Sequence, residues 1–272
     1  MTTIKNGTVV STDGTNISYK YFGQGAGLLI VHGGFRASQH YLDLAKHLAN
    51  DFTVYIMDRR GRNQSGPKGE DYHFQKEIDD IHSILRQHDI QLLFGHSFGA
   101  LSSLNAASDY PLIKLAVYEP PLYPYFPTDW LPQFEREIDK KDFIGASVTF
   151  LKGMQMGGFI GKLPKPLLKI FFKMMAKGDE WEENIPLLET LPEEFRVVMD
   201  WDSGFERYKN IKIPTLIIYG TKTTDYLISS AKEFAKLIPN HQLLAIDGLV
   251  HNAPDEQAPE QIALELKSFF QQ

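Results

Sequence analysis

Gln91-Leu-Leu-Phe-Gly95-His-Ser97-Phe-Gly99-Ala-Leu-Ser-Ser-Leu104 sets one serine between two glycines, after an apolar run and before a run of helix-forming residues. A strand that turns tightly into a helix crowds together the residues two before and two after its apex. Gly95 and Gly99 meet that demand, and the apex residue is held in a strained backbone conformation. Its side chain then projects above the sheet at the start of the helix, where ligands of parallel sheets bind. Ser97 is therefore the candidate nucleophile. A bare G-x-S-x-G also occurs by chance in ordinary loops, so the weight rests on the strand before Ser97 and the helical run Ala100 to Ala107 after it.

Outward from this turn, strand and helix signals alternate. Thr8 to Asp13, Gly14 and Ile17 to Tyr21 predict a β-hairpin turning at Asp13-Gly14. Gly27 to His32, Phe52 to Met57, Gln91 to Phe94, Leu112 to Tyr118, Thr215 to Tyr219 and Gln242 to Ile246 are short apolar runs of strand length. Helical periodicity separates them, around His40 to Ala49, Asp71 to Leu85 and Tyr226 to Leu237. Strands joined by helices imply right-handed crossovers, hence an α/β chain with a mostly parallel sheet flanked by helices. Between Pro120 and Lys212 the rhythm breaks, and prolines, aromatics and methionines are dense. The simplest architecture is a core domain of residues 1–119 and 213–272 interrupted by a helical cap over 120–212.

Composition narrows the function. The 272 residues carry a net charge of −6, so the basic footprint of a nucleic-acid binder is missing. With no cysteine there are no disulfides, thiolate metal sites or cysteine nucleophiles. No run approaches the roughly 18 apolar residues of a membrane span, and the opening MTTIKNGTVV holds no signal-peptide core. The expectation is a soluble, cytoplasmic protein without stable membrane insertion. Gly23-Gln-Gly25-Ala-Gly27 precedes a strand rather than a helix, so it does not form a phosphate cradle. His82 and His88 lie six apart, which is not a metal-ligand spacing on a helix. Neither cofactor nor metal is expected.

Four segments, in order along the chain, resemble the α/β-hydrolase superfamily: Val31-His-Gly-Gly34, Asp58-Arg-Arg-Gly-Arg-Asn-Gln-Ser65, Gly95-His-Ser-Phe-Gly99, and Gly248-Leu-Val-His251 before a final helix. The resemblance implies that His251 takes the serine proton and returns it to the leaving group. It implies an oxyanion hole from the backbone N–H of Phe98 and, in the loop after His-Gly-Gly, that of Phe35. It implies structural duties for Asp58-Arg-Arg-Gly-Arg, and loop-shaping duties for His32 and His96. An aspartate nucleophile would suggest a dehalogenase or epoxide hydrolase, and Ser97 stands there instead. Proline iminopeptidases resemble this chain at His-Gly-Gly but continue Pro-Gly, whereas Phe35-Arg36 follows here.

The triad's acid is less plain. In most members it follows a glycine by three residues after the strand beyond the cap, but Gly220-Thr-Lys-Thr223-Thr-Asp225 offers threonine at that place. Asp225 is one candidate, though it also suits a helix N-cap before Tyr226. Some members carry the acid one strand earlier, and there Leu115-Ala-Val-Tyr-Glu119-Pro-Pro121 offers Glu119 at the strand's carboxyl end. Glu119 is the favoured acid and Asp225 the alternative.

Within the insertion, Phe143 to Gly178 holds six lysines and no acidic residue. Lys165, Lys169, Lys173 and Lys177 form one stripe of a helix, with Leu167, Leu168, Ile170, Phe171, Phe172, Met174 and Met175 around the rest. Three readings stand: a cap helix with a solvated lysine edge that pairs with Asp179 to Glu183, a roof over an acyl pocket through Phe171, Phe172 and Met175, or a helix touching lipid. The expected function is a serine carboxylesterase on small to medium apolar esters, working without a cofactor. A ligand sensor or interaction protein with little turnover, a C–C hydrolase and a cofactor-free haloperoxidase are the alternatives.

Overall fold

The structure is a computed structural model that describes residues 3–201 and 205–272. Its sheet has eight strands: β1 (Lys5–Val10), β2 (Asn16–Gly23), β3 (Ala26–Val31), β4 (Phe52–Met57), β5 (Leu92–His96), β6 (Lys114–Tyr118), β7 (Thr215–Gly220) and β8 (His241–Ile246). Their order is β1-β2-β4-β3-β5-β6-β7-β8. The β1–β2 and β2–β4 pairs are antiparallel and all others parallel. The hairpin closes with Val10 opposite Asn16, around Gly14 at φ 86°.

Continuous apolar runs suit strands covered on both faces. Leu28 to Val31 on β3, and Leu93 and Phe94 on β5, are wholly buried. Helices fill the crossovers of this unit: α1 (Leu42–Leu48), α2 (Phe74–Gln87) and α3 (Phe98–Ala107) before the insertion, and two more after it. One core layer joins α1 and the C-terminal helix to the sheet through Tyr41, Leu44, Leu48, Ile262, Leu266 and Phe269.

The chain divides into two compact units, Met1–Leu122 with Trp201–Gln272, and Tyr123–Asp200. The inserted unit is helical: α4 (Leu131–Asp139), α5 (Phe143–Gly153), α6 (Gly158–Gly161), α7 (Lys165–Met175), α8 (Asp179–Glu189) and α9 (Leu191–Asp200). The later helices of the sheet unit are α10 (Asp225–Leu237) and α11 (Pro259–Phe270). Composition set the insertion at 120–212, but Trp201 and Tyr208 pack with the sheet unit. Trp201 stacks 4.9 Å from Phe74, and Tyr208 meets Phe234 edge-on at 5.0 Å. Asp202–Gly204, inside that expected range, lie outside the described residues.

The inserted unit has a small aromatic core of its own. Trp130 packs edge-on against Phe195 at 5.0 Å and Phe134 at 5.5 Å, and Phe134 meets Phe150 at 6.0 Å. Beyond that core, α7 differs from its expected packing. Leu168 is buried and Phe172 half-buried, while Leu167, Ile170, Phe171, Met174 and Met175 are exposed. Lys169 pairs with Asp142 at 3.1 Å and Lys165 reaches Gln133 at 3.3 Å, so these two lysines turn to α4 and the start of α5. Among the described residues no helix is long and apolar enough to cross a membrane.

Candidate active site

The parallel strands β3, β5, β6 and β8 all run to one edge of the sheet, and the loops leaving that edge carry Phe35, Ser97, Glu119 and His251. Ser97 occupies the turn from β5 to α3 at φ 55°, ψ −121°. The two glycines are sterically required. A Cβ on Gly95 would lie 2.5 Å from the Gly99 carbonyl oxygen, and one on Gly99 would lie 2.3 Å from that of Val31. Phe35 (φ 58°) and Glu119 (φ 48°) share the positive φ of Ser97. Such backbones cost on the order of 1–3 kcal/mol each outside glycine and persist where the surroundings over-determine them.

Ser97 Oγ lies 3.0 Å from His251 Nε2, and Glu119 Oε2 accepts from His251 Nδ1 at 2.6 Å. Glu119 is fully buried and both of its carboxylate oxygens are hydrogen-bonded. Oε1 accepts from the Gly220 N–H at 2.9 Å, and Oε2 also accepts from the Thr223 hydroxyl at 2.8 Å. Thr223, which replaces an acid in the sequence pattern, thus donates to the acid supplied by β6. Because Nδ1–H faces a carboxylate, Nε2 of neutral His251 is an acceptor, and it faces the serine hydroxyl.

Asp225 is exposed at the first position of α10, and Thr224 takes the N-cap position sketched for it. Thus the structure brings together Ser97, His251 and Glu119, and leaves Asp225 in solvent.

Phe98 is the first residue of α3, so its N–H has no helical carbonyl to reach. Its ring is clamped from below: the Arg59 guanidinium lies 3.8 Å from the ring centroid. Arg59 is itself fully buried, forked on Glu77 at 2.9 and 3.1 Å, and it donates to the Gly33 carbonyl at 3.3 Å. The segment read only as a structural turn therefore braces both loops beside Ser97. Arg60 is likewise buried, forked on Asp80 at 2.7 Å.

His32 and His96 are fully desolvated, and burial holds both imidazoles well below their ordinary range, hence neutral. His32 Nδ1 donates to the Gly33 carbonyl at 2.8 Å while its Nε2 accepts from the Arg59 N–H at 3.1 Å. On the His251 side, the Tyr118 hydroxyl donates to the Val250 carbonyl at 2.8 Å. Arg36 pairs with the buried Asp255, anchoring the loop after Phe35 to the segment after His251. The resemblance implied supporting duties for Asp58-Arg-Arg-Gly-Arg, His32 and His96, but the long-range partners Phe98, Tyr118 and Asp255 are not legible as a motif, because they meet residues far apart in the chain.

A family model described as the alpha/beta hydrolase family matches residues 28–265, most of the chain. The chain belongs to the α/β hydrolase family. Among relatives of this α/β hydrolase is the uncharacterized hydrolase YraK of Bacillus subtilis, 36% identical over 113 residues, 40% of this chain and 41% of the relative. Another is the 2-(acetamidomethylene)succinate hydrolase of Mesorhizobium japonicum, 30% identical over 119 residues, 43% of each chain. The matches thus span about two fifths of the length of these two relatives. The crystal structure of an alpha/beta hydrolase from Sphaerobacter thermophilus superposes with a TM-score of 0.80 at 30% identity, over 97% of this chain and 100% of that one.

Proposed function

We propose that this α/β hydrolase is a serine carboxylesterase acting on small to medium apolar esters. The observation that carries the reading is the continuous line from Ser97 Oγ through His251 to the buried Glu119, at 3.0 and 2.6 Å. Ser97 Oγ attacks the ester carbonyl carbon as Nε2 of His251 takes its proton, giving a tetrahedral oxyanion. The backbone N–H groups of Phe98 and Phe35 stabilise that oxyanion. Glu119 stabilises the imidazolium and holds its tautomer. His251 then gives the proton to the departing alkoxide, which leaves as alcohol and an acyl-Ser97. Water, deprotonated by His251, attacks the acyl carbon; collapse returns the proton to Ser97 and releases the carboxylic acid.

Phe171, Phe172 and Met175 are the proposed contacts to the acyl chain, supported by the exposure of Phe171 and Met175 on α7. A cytoplasmic location is proposed from the absence of cysteine. Hydrolysis of p-nitrophenyl esters of graded chain length, together with a fluorophosphonate probe, tests the reading. Turnover that prefers short to medium acyl chains, with labelling of Ser97, is expected. Labelling without turnover of any ester in the panel would favour a sensor or an interaction protein.

A further inference from the structure

The loop of His251 and the loop of Gly33 to Phe35 lie far apart in sequence, and one buried line of hydrogen bonds joins them. His96 Nε2 is 2.8 Å from the His251 carbonyl oxygen, and His96 Nδ1 is 2.5 Å from the Tyr41 hydroxyl. That hydroxyl oxygen is also 3.3 Å from the Gly33 nitrogen. The direction of each bond follows from what each atom can do. A carbonyl oxygen only accepts, so Nε2 of His96 carries the ring's proton. Nδ1 is then an acceptor and takes the Tyr41 hydroxyl proton, leaving the tyrosine oxygen to receive the Gly33 N–H. Burial keeps His96 neutral and raises the Tyr41 hydroxyl well above its usual range, so neither end of the line changes its proton inventory near neutral pH. The nearest carboxylate does not compete, since Asp255 Oδ1 is 3.8 Å from Nδ1 and its other oxygen is held by Arg36.

We propose that Tyr41 and His96 are positioning residues that hold the His251 loop and the Gly33–Phe35 loop in register, so that the proton-accepting nitrogen and the oxyanion donors meet the same tetrahedral centre. This inference rests on the serine-hydrolase reading. Neither side chain takes part in bond making. The work is done through backbone, at the His251 carbonyl on one side and the Gly33 amide on the other. His32 braces the opposite face of Gly33 with the other tautomer, donating from Nδ1 rather than Nε2. The peptide units on both sides of Gly33 are thereby held, one at its N–H and the other at its carbonyl, which is what a loop needs if its next amides are to point at a developing charge.

Tyr41→Phe removes one hydroxyl and leaves the ring's packing intact. The expected result is a fall in kcat on the order of 10- to 100-fold with little change in KM, as for small misplacements of catalytic groups. Affinity for a trifluoromethyl ketone, which forms the tetrahedral oxyanion, should fall by the same factor, while that for the matching methyl ketone should not. The double variant Tyr41→Phe/His96→Asn should lose no more than the worse single variant, since both break one line. A folded Tyr41→Phe protein with kcat and trifluoromethyl ketone affinity within about twofold of wild type overturns the proposal, as does an additive double variant. Nitrogen-15 spectra of labelled histidine read the relay without turnover: the Nε2–H tautomer is expected for His96, and the Nδ1–H tautomer would overturn it even if Tyr41→Phe failed to fold. A wild-type protein with the expected tautomer but no serine labelling would instead strike down the hydrolase reading and, with it, the relay's catalytic purpose.

Discussion

The sheet unit and the inserted unit differ in how much charge they bury and how much apolar surface they expose. The sheet unit buries charge: Glu119, Arg59, Glu77, Arg60 and Asp80 are all desolvated and all paired or hydrogen-bonded. The inserted unit exposes apolar surface, with Phe159, Met174 and Met175 showing 83, 70 and 63% of their area. Buried charge is tolerated only where partners are fixed in advance, so the sheet unit is a rigid frame for a few polar atoms. Exposed apolar side chains on a helix are free of that demand and mark a surface that meets something other than the unit's own core. The proposed chemistry draws on side chains of the first unit, and the proposed acyl contacts are side chains of the second.

That contrast can be broken most directly at Ser97. Ser97→Ala should abolish fluorophosphonate labelling and lower ester turnover on the order of 10⁴-fold or more. Unchanged labelling would move the nucleophile elsewhere. Next in size is the acid. Glu119→Gln should cost about 10³–10⁴ in kcat while Asp225→Asn stays near wild type, read side by side in one steady-state assay. The reverse result would transfer the role to Asp225.

Stability should divide the same way. Phe94→Ala, in the centre of the sheet, should cost about 3–5 kcal/mol in a urea titration, and Phe159→Ala should stay within roughly 0.5 kcal/mol. Equal losses would erase the distinction between the units. For selectivity, Phe171→Ala or Phe172→Ala should shift kcat/KM toward longer acyl chains by no more than one methylene's worth, about 1–3 kcal/mol. An unaltered chain-length profile in stable variants would return that face to a purely structural role.

The smallest effect is a pH slope. His32 is held neutral by burial and by Arg59, so its folded value lies below the unfolded one. Below the unfolded value the unfolded chain binds the extra proton, and stability falls with decreasing pH until the folded value is reached. The window therefore opens below about pH 6.5, with about 1.4 kcal/mol lost per pH unit for this one group. The stability gap between wild type and His32→Gln should close by that amount as pH falls. A gap that holds constant would show that His32 titrates alike in both states.

The turn at Ser97 was legible because its cause is local: Gly95 and Gly99 are demanded by close backbone contacts within the turn and with the neighbouring strand. The parallel strands were legible because double-sided burial writes itself as unbroken apolar runs such as Leu28 to Val31. Glu119 could be weighed because Thr223 stood where an acid was wanted, and the structure shows the two joined at 2.8 Å. Less local causes left no trace. Arg59 beneath Phe98, and Tyr41 beside His96, are contacts across tens of residues with no spacing to betray them. On α7 the lysine period was plain, but periodicity reports only that faces differ, not what covers each one. Trp201 and Tyr208 were assigned to the insertion by composition, which does not register which neighbours an aromatic finds.

The placement of Glu119 on β6 has a consequence for how the polypeptide could be divided. Ser97 and Glu119 both precede Tyr123, and His251 follows Asp200, so the inserted unit separates the chain into a piece with two members of the constellation and a piece with one. The edge that would reunite them is the β6–β7 ladder, from Leu115 opposite Thr215 to Tyr118 opposite Ile218. On the proposed function, two polypeptides cut within the insertion should each be inactive alone, and ester cleavage on mixing would report their association. The fold thus carries the layout of a complementation pair, with its seam inside the inserted unit.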